Sequence, residues 1–258
     1  MKKLLPLVLV LFTIHNLQAQ WGREFSMGYT FANPMGKMKM NINQGHGIVL
    51  DYHFVAPNKR YAIGSDLNYT VYGFDQSRQL YDFPDGTTAE MDVHVTNSFL
   101  NLMASGRYNL LLNRALIPYV GAKAGYGWYN TNLSIYDTND FDSCEPVEKA
   151  ILMKDGTLIF SIGGGVQYDL ARLFKRLPEN IFLVNISTYY TQGGQIKYMN
   201  TDGPEHHASS SSDRTGDVEA TFINTQTQIT HKHHVGNLYS SYARLMDFRL
   251  AFTFRTSR

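Results

Sequence analysis

The stretch Asp247-Phe248-Arg249-Leu250-Ala251-Phe252-Thr253-Phe254 alternates strictly between polar or small residues and large apolar ones. Successive side chains of a β-strand point to opposite faces of the sheet, so the four large residues share one face. The stretch lies close to the C-terminus, and its last apolar residue is aromatic. It predicts a strand that is apolar on one side and polar on the other.

Seven earlier segments alternate in the same way. Together with the last one they cover residues 25–31, 48–54, 61–71, 100–110, 120–128, 158–170, 182–190 and 246–254. The 17 tyrosines and 15 phenylalanines also favour strands. A strand needs only about 9–11 residues to span a membrane, and no apolar run after residue 20 is long enough for a transmembrane helix. The sequence therefore predicts an all-β fold of eight strands.

The connections between these segments alternate in length. Those at residues 56–59, 112–114 and 172–180 are short, whereas the other four are long. Transmembrane barrels of bacterial outer membranes have short periplasmic turns and longer extracellular loops. The spacing therefore predicts an eight-stranded antiparallel transmembrane β-barrel with both termini on the periplasmic side.

The N-terminus has the pattern of a cleaved secretory signal peptide. Two lysines precede the largely apolar residues 4–14, and Ala19 offers a small residue before the expected cut. We expect residues 1–20 to be removed and residues 21–258 to form the barrel domain. Removal leaves 21 basic against 22 acidic residues, which gives no basic surplus for nucleic acid. The single cysteine, Cys144, excludes an intrachain disulfide.

Seven charged residues fall on the polar faces of the predicted strands. Arg or Lys facing hydrocarbon at the bilayer midplane costs about 2–4 kcal/mol, so these faces are expected to point into the lumen. The sequence predicts an ion-pair network there, formed by Asp51, Asp66, Arg107, Lys123, Asp169, Asp247 and Arg249. Because side chains nearly fill the interior of an eight-stranded barrel, a plugged lumen is favoured over a polar conduit.

The signal pattern, the eight segments, the alternating connections and the last strand ending on Phe254 resemble the small outer-membrane β-barrels of Gram-negative bacteria. The OmpA-like and porT-type barrel families are the nearest in architecture, and the resemblance covers nearly the whole mature chain. It implies a place among outer-membrane lipids and insertion by the outer-membrane assembly machinery. The recognition strand would contain Phe248, Leu250, Phe252 and Phe254, although four further residues follow it here.

The long connections are where specific function is expected. In the first, residues 33–45, methionine and lysine alternate from Met35 to Met40, which predicts an adaptable contact surface or an extension of a strand. The fourth, about residues 193–237, holds five of the nine histidines. Because imidazole binds zinc or copper, the candidate metal ligands are His206, His207, His231, His233 and His234. The alternative is a histidine-rich hydrophilic loop.

No enzyme activity and no cofactor are expected. The sequence has no G-x-S-x-G element and pairs no nucleophile with an oriented base. The favoured function is a structural or interaction role, in which the barrel supports or anchors an envelope complex through its loops or its exterior. Two alternatives remain, a small passive channel or transporter and a soluble lipocalin-like barrel with its apolar face around a ligand.

Overall fold

The computed structural model describes residues 21–82, 88–112, 115–137, 146, 148–200, 213–223 and 230–256. These residues form nine strands: β1 (Gly22–Pro34), β2 (Gly45–Val55), β3 (Tyr61–Asp82), β4 (Thr88–Asn109), β5 (Leu116–Asp137), β6 (Glu148–Asp169), β7 (Phe182–Asn200), β8 (Arg214–Ile223) and β9 (Thr230–Thr256). They also form a one-turn helix, α1 (Met38–Asn41), and a 3-10 turn (Leu170–Arg172). In the same residues no helix is long and apolar enough to cross a membrane.

Eight of these strands close into an antiparallel barrel. Strands β1 to β6 each pair with the strand that follows them in the sequence, β7 pairs with β9, and β9 returns to β1 with Phe254 opposite Phe25. Closure pairs the backbone groups that an open sheet would leave exposed at its edges. The predicted all-β fold of eight antiparallel strands is confirmed.

The strands are longer at one end of the barrel than the sequence predicted. Each predicted segment lies in a strand, except that Leu110 and Leu170 fall one residue beyond β4 and β6. However, β3 to β6 are each 22 residues long, about twice what a bilayer requires. The barrel wall therefore continues well beyond the membrane at the end opposite the termini.

The fourth long loop, predicted at about residues 193–237, is wrong for the described residues of that range. Strand β7 continues to Asn200, β8 occupies Arg214–Ile223, and β9 begins at Thr230. One edge of β9 pairs with β1 near the membrane. Farther along the strand, beyond the end of β1, the same edge pairs with β8. Residues 214–223 form a strand with backbone pairing because β9 extends past β1 and offers a free edge.

The two faces of the wall exchange character along the strands. On β5 the outward side chains are apolar from Val120 to Trp128 and become polar beyond it, as at Asn132. The inward side changes in the opposite sense, from the charged Lys123 to the buried Leu133. Trp128 therefore marks the outer edge of an apolar band, where aromatic side chains of transmembrane barrels collect.

Beyond this edge a hydrophobic core fills the barrel. It is built from inward residues of several strands together with α1, including Tyr72, Val93, Phe99, Tyr129, Leu133, Met153, Ile196, Tyr198, Met199, Tyr239 and Leu245. Met38 of α1 is fully buried in this core, while Met40 is exposed. The segment around Met38 is thus neither a strand extension nor wholly a contact surface, because one of its methionines packs inward.

Polar contacts attach α1 to the barrel wall. The Asn41 side-chain amide donates to the Tyr198 hydroxyl at 2.9 Å, and that hydroxyl lies 3.0 Å from the Ser241 hydroxyl. Burial raises the pKa of Tyr198, so its hydroxyl stays neutral and available to these partners. At the rim, Lys37 Nζ lies 2.7 Å from a carboxylate oxygen of Asp213. Helix α1 therefore closes the outer end of the core.

The variant Asn41→Ala is expected to loosen α1. A hydrogen bond between neutral groups contributes about 0.5–1.5 kcal/mol, so local opening of α1 should become roughly five times more frequent. Trypsin cleavage after Lys37 and Lys39 in the folded protein measures this opening. Gln44→Ala, at an exposed position in the same connection, is the matched control. Equal cleavage rates in Asn41→Ala and the wild type would contradict the role of this hydrogen bond.

Candidate functional site in the barrel lumen

At membrane level the lumen holds two groups of charged side chains. The lower cluster, nearer the termini, is centred on the fully buried Glu24. Arg107 approaches one Glu24 carboxylate oxygen at 2.5 Å and Arg255 approaches the other at 2.5 Å. The Arg255 guanidinium also donates to the Gln167 side-chain oxygen at 3.0 Å. One carboxylate thus joins cations from β4 and β9.

The upper cluster is centred on Asp66, which is also fully buried. Lys123 Nζ lies 2.5 Å from an Asp66 carboxylate oxygen and 3.9 Å from Asp51. Arg249 is ion-paired with Asp66 as well and lies 3.6 Å from Asp247. Strands β2, β3, β5 and β9 are therefore connected across the lumen by ion pairs.

Two tyrosine rings fill the space around these charges. Tyr189 lies 4.0 Å from Lys123 Nζ and 5.5 Å from the Arg249 guanidinium carbon, and both distances are within cation–π range. Gly121 makes room for this ring, since a Cβ there would lie 2.9 Å from the Tyr189 hydroxyl. The Tyr119 ring lies 5.1 Å from the Arg107 guanidinium carbon and its hydroxyl donates to Asn185 at 2.8 Å.

The region between the clusters contains little free space. His53 Nε2 lies 2.7 Å from the Ser105 hydroxyl. The cavity beside them, bounded also by Arg107, Lys123 and Tyr189, has a volume of about 10 Å³. That is room for about one water molecule. The arrangement can hold the strands in register and fill the lumen at this level.

The structure places six of the seven predicted lumen charges in these two clusters: Asp51, Asp66, Arg107, Lys123, Asp247 and Arg249. The prediction is wrong for Asp169, which does not join either cluster. Its carboxylate accepts from the backbone N–H groups of Ala171 at 3.1 Å and Asn180 at 2.9 Å. Asp169 is the last residue of β6, so it caps the 3-10 turn instead of reaching a cation.

Glu24 and Arg255 are charged lumen residues that lie outside the predicted segments. The first predicted segment began at Phe25 and the last ended at Phe254, each one residue short of a charge on the inward face. Extending the alternation by one residue at each end places both charges inward. They also lie near the two chain termini, where β1 and β9 pair.

The structure describes the five candidate metal ligands only in part. His206 and His207 lie outside the described residues. The backbone of His231, His233 and His234 lies in β9, opposite β8, rather than in a loop. In the described part of the chain no group of three or more His, Cys, Asp or Glu side chains is placed to hold a metal ion.

The residues of the expected recognition strand lie on the outside of β9. Phe248, Leu250, Phe252 and Phe254 are each between 44% and 67% exposed, and they face away from the lumen. Their neighbours on adjacent strands are also apolar, since Leu250 is opposite Tyr29 of β1 and Ile186 of β7. The four side chains thus form part of the apolar band.

An apolar exterior around a charged interior is the arrangement of a barrel that spans a lipid bilayer. Single-chain barrels with an even number of antiparallel strands, short turns at one end and long hairpins at the other belong to the outer-membrane type. The protein is therefore a small eight-stranded outer-membrane β-barrel.

No protein-family model and no curated protein matches the sequence. Among solved structures, the chain is similar in fold to the attachment invasion locus protein Ail of Yersinia pestis, with a TM-score of 0.44, 10% identity and coverage of 92% of this chain and 99% of Ail. It is also similar to Neisserial surface protein A, with a TM-score of 0.41, 9% identity and coverage of 93% and 97%. A major outer membrane protein from Thermus thermophilus gives a TM-score of 0.40, 13% identity and coverage of 91% and 99%.

Proposed function

We propose that this barrel is a closed scaffold of the outer membrane that supports or anchors an envelope complex through its extracellular hairpins or its exterior. The observation that supports this role is closure of the interior at two levels. Ion pairs and tyrosine rings fill the lumen at membrane level. Above them, the hydrophobic core with α1 fills the outer half. A barrel closed in this way can present a rigid surface but offers no route for a solute.

The soluble lipocalin-like alternative is wrong for this chain. It requires the apolar face to line the interior around a ligand, whereas Asp66 and Arg249 face inward and Leu250 and Phe252 face outward. A channel or transporter is the remaining alternative, and it requires the lumen side chains to move aside. We propose no catalytic role and no cofactor.

Export and insertion are part of the same proposal. Residues 1–20, which lie outside the described residues, are proposed to act as a cleaved signal peptide, leaving residues 21–258 as the barrel domain. Strand β9 is proposed to be recognised by the outer-membrane assembly machinery. It is the strand that completes the barrel against β1.

In planar bilayers the purified protein is expected to give no steady ion conductance. The cavity between the two clusters has room for about one water molecule, which is too little for a hydrated ion. A porin of 16 strands, whose interior is an aqueous channel, is the positive control. Discrete conductance steps at a frequency that scales with the amount of barrel protein would contradict the closed-lumen proposal and favour the channel.

Lysine cross-linking in intact outer membranes tests the scaffold role. Lys149, Lys154 and Lys197 are exposed near the extracellular end, whereas Lys59 and Lys175 are exposed at the periplasmic turns. We expect a partner in stoichiometric amount whose cross-links map to the first set. Recovery of the barrel alone, with no stoichiometric cross-linked partner at either end, would contradict a role in a stable complex.

A further inference from the structure

We propose that the outer rim of the barrel, where β1, β2 and β9 meet, binds the phosphate group of an anionic lipid of the outer leaflet. The rim site is defined by Lys39, His46 and Arg244. This inference rests on the barrel's place in the outer membrane but not on its scaffold role. The scaffold proposal assigns no ligand to this surface, and the present inference assigns it a lipid.

A cleft lies at the centre of the rim site. It has a volume of about 390 Å³ and opens between the end of β1, the connection after α1 and the start of β2. Its lining is largely polar and includes Asn33, Lys39, Gln44 and His46. A cleft with amide, ammonium and imidazole groups offers several hydrogen-bond donors to one anion.

His46 is held in a defined orientation at the edge of this cleft. The Tyr29 hydroxyl is hydrogen-bonded to His46 Nδ1, and the Phe31 ring centroid lies 5.4 Å from the imidazole centroid. When Tyr29 donates to Nδ1, the ring proton is on Nε2, which can donate to an anion. A protonated imidazole also donates through Nε2, so both states suit a phosphate oxygen.

Two full positive charges lie at the same rim, one of them in the cleft and the other beside the segment that leads into α1. Lys39 lines the cleft. Arg244 lies on the outward face of β9, and its Nη1 is 3.6 Å from the point that a Cβ would occupy at Gly36. Within the described part of the chain, no carboxylate lies within 4.0 Å of Lys39 or Arg244. Lys37 differs, because Asp213 already neutralises it at 2.7 Å. The rim site therefore has positive charge available for an external anion.

The surface directly below the rim site is apolar and faces the bilayer. Tyr29, Ile48 and Phe248 are 48%, 50% and 48% exposed and face outward like His46. Tyr29 and Ile48 pair two positions nearer the membrane than His46, and Phe248 is opposite Phe31, the partner of His46. Cationic groups above and an apolar surface below match the two parts of one lipid molecule. Because the long hairpins are at this end, the leaflet is the outer one.

Native mass spectrometry of the full barrel in a neutral detergent, with added diphosphoryl lipid A as the probe, tests the proposal. The double variant Lys39→Gln/Arg244→Gln is expected to retain lipid A at least about tenfold less than the wild type, since each basic residue near an anionic headgroup contributes severalfold. Lys154→Gln is the matched control, because Lys154 is an exposed lysine on β6, outside the three strands that form the rim site. A heat-dependent shift in gel mobility verifies that each variant is folded.

Each outcome is decisive. Weaker retention in the double variant, with Lys154→Gln unchanged and little competition from excess inorganic phosphate, supports a lipid site at the rim. Equal retention in the double variant and the wild type would overturn the proposal. An equal loss in Lys154→Gln would also overturn it, because it would indicate general attraction to positive charge. Full displacement by inorganic phosphate would overturn the assignment to a lipid.

Discussion

Asp66→Asn is expected to destabilise the folded barrel by about 3–5 kcal/mol, the usual cost of removing one partner from a buried ion pair. Asp66 is fully buried and is ion-paired with both Lys123 and Arg249. Asparagine keeps the shape of the side chain but removes the charge that both buried cations share. Lys123 would then have only Asp51, at 3.9 Å, and Arg249 only Asp247, at 3.6 Å. Urea titration in phospholipid vesicles, followed by tryptophan fluorescence, measures the free energy of unfolding.

Two further variants separate buried charge from general damage. Asp92→Asn removes an exposed ion pair, since Asp92 lies 3.1 Å from Arg78 on the outer face, and the expected loss is below about 1 kcal/mol. The double variant Asp66→Asn/Lys123→Met removes one of the two stranded cations and should recover part of the lost stability. A loss in Asp66→Asn no larger than in Asp92→Asn would show that the upper cluster does not hold the strands together.

The membrane-level part of the barrel was predictable because a bilayer forces each strand to alternate. Hydrocarbon outside and a packed lumen inside leave two-residue periodicity as the only acceptable pattern, and β9 from Phe248 to Phe254 shows it without interruption. The same logic indicated Asp66, Lys123 and Arg249 as inward residues. Sequence alone did not give the pairs, because partners on β3, β5 and β9 are brought together by closure of the barrel.

The extracellular half was misinterpreted as loops for a physical reason. Beyond Trp128 the outward face meets water and the inward face becomes the apolar one, so the polarity of the two faces reverses within one strand. A search for one face that stays apolar ends at this reversal. Met91, Val93 and Val95 continue the inward alternation of β4 and would have indicated its extension. The buried side of α1 left no comparable signal, because a one-turn helix is too short for periodicity.

Leu250→Arg is expected to lower the free energy of unfolding of the barrel in a bilayer by about 2–4 kcal/mol, the cost of arginine on the lipid face near the midplane. Leu250 lies at the centre of the outward run of β9, between Phe248 and Phe252, and is half exposed. In water such a substitution on an exposed strand would change little. The same urea titration in vesicles measures it, with Trp128 on the outer face as one of the two tryptophan reporters.

Asn132→Arg is the matched control for this substitution. Asn132 also faces outward, on β5, but it lies beyond Trp128 on the extracellular side, where the expected cost is about 0–1 kcal/mol. Because both variants add the same charge to an outward position, the difference between them measures the depth of hydrocarbon at Leu250. Equal costs at the two positions would mean that no bilayer surrounds the apolar band. The place of the barrel in the membrane, and with it the lipid site at the rim, would then be wrong.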